Sequence, residues 1–183
     1  MIKWIRLEGS SAALPSYAAE GQVVLIKVLV CSDSHGAFSA AEALLQREGA
    51  IRHVIFLGDG AAEWEDLMLL YPEKSYYPVR GNCDFGSDWP AERVVELGGH
   101  RIFCTHGHLY GVKNGAFSAL HRAAAAQGCD IILYGHTHSA RIDYADGVYC
   151  CNPGSLRYPN EGRPSWLELN LDGSNVVPIL VEL

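Results

Sequence analysis

The chain has 183 residues, enough for one domain with a substantial core. Apolar residues make up 49% of it and charged residues 19%, which excludes an intrinsically disordered chain, and no apolar stretch reaches the length of a membrane span. A formal net charge of −7 argues against general affinity for nucleic acid or anionic lipid; phosphate esters stay open as ligands, because bound metal ions can be the largest local charges in an acidic protein.

Residues 1–22 carry Lys3 and Arg6 but no sustained apolar run, so a secretory signal is not expected. We expect an N-terminal extension over 1–25, or an over-called translation start, followed by a single domain over 26–183. VVLIKVLVCS (23–32) is a near-continuous apolar run ending in polar residues, as in a strand covered on both faces. SAAEALLQRE (39–48) predicts a helix, with Ser39 and Glu42 spaced as a capping box. HVIFLGDG (53–60) is a second strand and its exit loop, and AEWEDLMLL (62–70) a helix with acidic residues in its first turn, where the helix dipole favours them. SYYPVRGNCD (75–84) is a third strand, at an edge or interrupted because of Pro78.

ERVVELGGHRIFCTHGH (92–108) reads as a hairpin about Gly98–Gly99, and GAFSALHRAAAAQG (115–128) as an Ala-rich helix closed by Gly128. DIILYGHTH (130–138) is a buried strand with a polar exit. ARIDYADGVYCCNPGS (140–155) predicts a hairpin about residues 145–147, and 165–183 a last antiparallel pair turning at Asp172–Gly173. The order implies one α/β domain with two packed sheets or one long mixed sheet. Six scattered cysteines without a C-x-x-C pair point to a reduced, cytoplasmic protein, with Cys150–Cys151 as strand packing.

In open α/β sheets ligands gather beyond the carboxyl ends of strands. Five strand ends here carry metal-ligating residue types: Asp33 and His35, Asp59, Asn82 with Asp84, His106 and His108, and His136 and His138. For Asp33 and His35 a capping role is the bland alternative, but the capping box downstream makes it superfluous. Mixed imidazole and carboxylate donors suit Zn, Mn, Fe, Co or Ni, and the number of converging donors suggests two ions sharing a carboxylate. His53, His100 and His121 have no motif context and read as surface or packing residues; Arg80 and Arg157 read as surface ion pairs rather than phosphate contacts.

The motifs D-x-H, G-D, G-N-x-D, H-G-H and G-H-T-H, in this order, resemble those of the calcineurin-like metallophosphoesterases. The GNCD and NPGS versions are most similar to the small phosphodiesterase branch that contains YfcE. That resemblance implies a fold of two packed mixed β-sheets flanked by helices in four layers. It implies two divalent ions, manganese foremost, with Ni, Fe, Co or Zn as alternatives. Asp33, His35 and His138 would hold one ion, Asn82, His106 and His136 the other, and Asp59 would bridge them. A water or hydroxide between the ions would attack phosphorus.

Where many relatives have histidine in the third motif, this chain has Cys83, a poor leaving-group acid at neutral pH. That departure favours activated diesters over monoesters, with His108 the candidate substitute donor or a support behind the ligands, and Asp84 orienting the loop or a ligand. The NPGS loop is expected to be mainly structural, with Ser155 a candidate for substrate contact. The expected function is a metal-dependent phosphodiesterase acting on small phosphodiesters, without stable nucleic-acid binding or membrane association; the resemblance is also compatible with a homo-oligomer. The alternatives are a Vps29-like non-catalytic protein-binding scaffold, which degraded ligand positions would favour, and a phosphomonoesterase or protein phosphatase.

Overall fold

The computed structural model describes residues 24–183; the expected extension over 1–25 lies outside them apart from Val24 and Leu25. Strand β1 (Ile26–Cys31) leads through α1 (Phe38–Arg47) to β2 (His53–Phe56), and through α2 (Ala61–Leu70) to β3 (Ser75–Pro78). These three strands run parallel, as helical crossovers require. The last two strands, β9 (Ser165–Asp172) and β10 (Asn175–Glu182), extend the same sheet antiparallel in the order β10-β9-β1-β2-β3. Pro78 therefore sits on an outer strand, where its missing N–H costs no ladder bond.

The second sheet has the order β4-β5-β6-β8-β7, formed by β4 (Glu92–Leu97), β5 (His100–Thr105), β6 (Ile131–Tyr134), β7 (Arg141–Ala145) and β8 (Val148–Asn152). Of the two arrangements the sequence allowed, the chain adopts two five-stranded mixed sheets. Helix α3 (Ser118–Ala126) connects β5 to β6 after two short 3₁₀ turns at His108–Tyr110 and Val112–Asn114, so the helix is shorter than the Ala-rich pattern implied.

Three apolar clusters define the layers. Between the sheets lie Val28, Val30, Ile55, Ile102, Leu133 and Leu169. The opposite face of β1 and β2 presents Leu29, Cys31, Val54 and Phe56 to Leu44 and Leu45 of α1 and Trp64 and Leu67 of α2. Phe103, Ile132 and Tyr134 meet Leu120 and Ala124 of α3 on the far side. The order is helix, sheet, sheet, helix, and it explains the continuous apolar runs of β1 and β6: both faces are covered. No helix among the described residues is long and apolar enough to cross a membrane.

Leu29 is fully buried at the centre of the first sheet. Leu29→Ala is expected to cost roughly 2–5 kcal/mol, through lost transfer free energy and a residual cavity. Urea unfolding checks this, and a cost under about 1 kcal/mol contradicts the packing described.

The capping box does not form. Helix α1 starts after Ala37, with no side-chain cap, and Ser39 lies within its first turn. Glu42 instead accepts a hydrogen bond from the Tyr71 hydroxyl at 3.4 Å. A tertiary partner took the side chain that local spacing had assigned to the cap.

Candidate metal centre

The carboxyl ends of β1, β2, β3, β5 and β6 face one side of the sandwich, and the polar residues of their exit loops meet there. Three groups of donor atoms form: Asp33, His35 and His138; Asp59, His106 and His136; and His35, Asp59 and Cys83. In the first, His138 Nε2 lies 3.1 Å from Asp33 Oδ1 and 3.3 Å from His35 Nε2. In the second, His106 Nε2 lies 3.4 Å from Asp59 Oδ2 and 3.2 Å from His136 Nδ1. Asp59 Oδ2 also stands 3.9 Å from His35 Nε2, which joins the groups through one carboxylate.

The orientation of each ring is set from behind. His106 Nδ1 donates to the Leu57 carbonyl and His138 Nδ1 to the Tyr158 carbonyl, both at 2.7 Å. A carbonyl can only accept, so each Nδ1 carries hydrogen and Nε2 is the atom left to ligate. Asp33 Oδ2 accepts the His136 N–H at 3.0 Å. Asp33 Oδ1 is buried without a hydrogen-bond partner, a costly state unless something positive neighbours it. Two pairs of imidazole nitrogens within about 3.3 Å of each other, beside that oxygen, fit divalent transition ions well.

Charge distribution agrees with this. Burial alone would raise the Asp59 carboxyl, but His106 and the Cys83 N–H hold it well below the usual carboxylate range. Burial would lower His106, and the contact with Asp59 and the charge of Asp33 outweigh it and raise the ring instead. Contact with Asp33 raises His138 against the effect of burial. Burial, reinforced by the charge of His106, lowers His136 to about 4. A cation here would take the place of the proton that the carboxylates attract.

Five of these residues are held in left-handed backbone: Asp33 (φ 54°), His35 (43°), Asp59 (60°), His136 (68°) and His138 (56°). Such conformations cost about 1–3 kcal/mol each outside glycine and persist where surrounding contacts over-determine them. The contacts are present. Asp84 accepts four backbone N–H groups: those of Asp59 and Gly81 on Oδ2, and of Gly60 and Ala61 on Oδ1, at 2.7–2.8 Å. The orienting role expected of Asp84 is thereby seen, and the carboxylate also caps α2. At Gly81 a Cβ would lie 2.0 Å from Asp59 Oδ1, so only glycine lets the two loops close.

Asn82 is exposed on the loop after β3, its amide nitrogen 3.2 Å from Cys83 Sγ. His108 stands beside the cluster, its ring 5.4 Å from that of His106, with a buried Nδ1 that has no partner. Burial and the His106 charge lower it. Burial and Asp59 push the Cys83 thiol up to about 11.

Some expectations are corrected. Ser155 is buried, donates to the Asp33 carbonyl at 2.8 Å and accepts the N–H groups of Arg157 and Tyr158, so it braces the β1 loop and offers nothing to a ligand. Arg157 forms no surface ion pair among the described residues; it donates to the His35 carbonyl and lies over the Tyr158 ring. The reading of His100 and His53 as surface or packing residues needs no correction: His100 is buried against the Asp130 carboxylate, and His53 pairs with the Tyr77 hydroxyl at 3.2 Å.

Sequence reasoning missed Glu63, whose Oε1 accepts from Ser34 Oγ at 2.7 Å and the Gly36 N–H at 2.6 Å. Its place in a helix first turn pointed only to the dipole.

A family model described as the calcineurin-like phosphoesterase superfamily domain matches residues 26–173. A probable metallophosphoesterase, YsnB of Bacillus subtilis, is 35% identical over 75% of this chain and 79% of its own. The phosphodiesterase YfcE of Escherichia coli is 30% identical over 77% and 85%. Among solved structures, a predicted phosphoesterase from Streptococcus pneumoniae superposes with a TM-score of 0.74 at 28% identity, covering 87% of this chain and 90% of that one. Vacuolar protein sorting 29 from Cryptosporidium parvum shares the fold, with a TM-score of 0.67 at 22% identity over 87% and 98%.

Proposed function

The chain belongs to the calcineurin-like phosphoesterase superfamily, and from that premise we propose that it is a dinuclear metal-dependent phosphodiesterase acting on small phosphodiesters. The carrying observation is the placement of Asp59 Oδ2 within 3.9 Å of His35 Nε2 and 3.4 Å of His106 Nε2, a carboxylate within reach of both donor groups. In this reading Asp33, His35 and His138 hold one ion, Asn82, His106 and His136 the other, and Asp59 both. When bound, the ions supply a lowered water pKa and offset charge on the phosphoryl oxygens.

The residues do the rest. The Leu57 and Tyr158 carbonyls keep two imidazoles aimed, and Asp84 holds the Asp59 and Gly81 backbones in register. Cys83 stands beside Asp59 where a stronger proton donor would favour poor leaving groups, so activated diesters are the preferred class. His108 is the proposed donor in its place. Manganese is the proposed metal, with Ni, Fe, Co and Zn as competitors for the same donor set. The acidic chain is proposed not to hold nucleic acid stably.

A scaffold function similar to that of Vps29 is the competing reading, favoured by the shared fold. The convergence of Asp33, His35, Asp59, His106, His136 and His138, with Asn82 kept in the sequence, weighs against it. Hydrolysis of bis(p-nitrophenyl) phosphate by the manganese-loaded protein is expected, with p-nitrophenyl phosphate turned over at least about tenfold more slowly and activity lost on chelation. Absence of diester turnover with every one of the five metals overturns the proposal.

A further inference from the structure

We propose that Phe85 is a stacking platform that selects phosphodiesters bearing a flat, uncharged aromatic group; the inference rests on the phosphodiesterase reading above. Phe85 is 91% exposed, the highest value among the exposed large apolar side chains of the described residues. A single exposed apolar side chain needs no explanation by itself. The position of this one does. It lines a cavity of about 340 Å³ together with His35, Asp59 and Cys83, so the residue borders the space that the metal-site donors open into. That volume lies at the small end of the range for small-molecule pockets.

The ring is presented by an anchored loop. Two residues before it, the Cys83 N–H donates to Asp59 Oδ1 at 2.8 Å; one residue before it, Asp84 holds four N–H groups. The Phe85 N–H bonds the Cys83 carbonyl at 3.0 Å, and the Ser87 N–H the Asp84 carbonyl at 3.3 Å, which closes a tight turn through Gly86 (φ 82°). Little backbone ordering entropy is left to lose when a planar group lies on the ring, and aromatic rings need only weak directional matching to stack.

Charge narrows the class. Glu63 and Glu65 line the same cavity, so a substituent carrying a second phosphate meets carboxylates while a neutral aryl or nucleobase group does not.

The test is calorimetric titration of the manganese-loaded protein with phenylphosphonate and methylphosphonate, which share the phosphoryl group and differ in the ring. The wild-type chain is expected to bind the phenyl compound about tenfold more tightly, Phe85→Ala to reduce that preference to about twofold, and Phe85→Trp to keep it. The side chain is exposed, so all three proteins are expected to unfold at the same temperature. Equal affinities in the wild-type chain, or an unchanged preference in Phe85→Ala, overturn the proposal. Hydrolysis of bis(p-nitrophenyl) phosphate by the same wild-type preparation decides the underlying reading separately: turnover with an unchanged preference in Phe85→Ala removes the platform alone, and no turnover removes both.

Discussion

Asp59→Asn is expected to lower diester hydrolysis roughly 10³-fold with little change in stability. The size follows from which oxygen does what. Asp59 Oδ1 accepts the Cys83 N–H at 2.8 Å, and Oδ2 faces His35 and His106. An amide at this position keeps its carbonyl on the Cys83 N–H, because the alternative sets two donors against each other. Its NH₂ group then points at the donor cluster, where it repels a cation and cannot ligate one. Shape and burial are nearly conserved, so urea unfolding of the metal-free variant is expected within about 1 kcal/mol of wild type. Elemental analysis should show metal content falling together with rate. Equal rates in the two proteins would remove Asp59 from the mechanism.

Asp84→Ala is expected to cost both activity, by roughly 10²-fold, and stability, by about 2–3 kcal/mol. Asp84 lines the cavity beside Phe85, but its two oxygens are taken up by backbone N–H groups and hold the β2 exit loop, the α2 N-terminus and the loop after β3. Without it four N–H groups lose a charged acceptor, and the left-handed turn at Asp59 loses what holds it. Asp84→Asn is expected to fall nearer to alanine than to wild type, since one of its two terminal atoms is a donor facing donors. Metal affinity by competition with a chelator gives the second readout: a positioning role weakens affinity and rate together. A variant that loses stability but keeps both would show Asp84 to be structural only.

Left-handed backbone at Asp33, His35, Asp59, His136 and His138 bears on both predictions. Each residue sits two to four positions past the end of a strand, where the chain must turn sharply for the side chain to reach the common centre. The ligating residue types are there despite their conformational cost, and the network of Asp84, Glu63 and Ser155 compensates for it. Stability and function are in tension at these positions.

The sequence by itself determined the succession of strands and helices and the clustering of ligating residue types at strand ends. Those features rest on local periodicity and on the rule that strand carboxyl ends share a side of the sheet, both readable one segment at a time. It also marked Asp84 as an orienting group, because the residue lies in the same short motif as Asn82. What only the tertiary structure decided depends on partners distant in the chain. Glu42, spaced to cap its own helix, turns to Tyr71, 29 residues away; Ser155 reaches the Asp33 carbonyl across 122 residues. Arg157 finds a backbone carbonyl at the site in place of a surface carboxylate, and His100 is buried against Asp130. A side chain's final hydrogen-bond partner is set by competition among groups that become neighbours only when the sheets pack, and local spacing carries no record of the distant competitors.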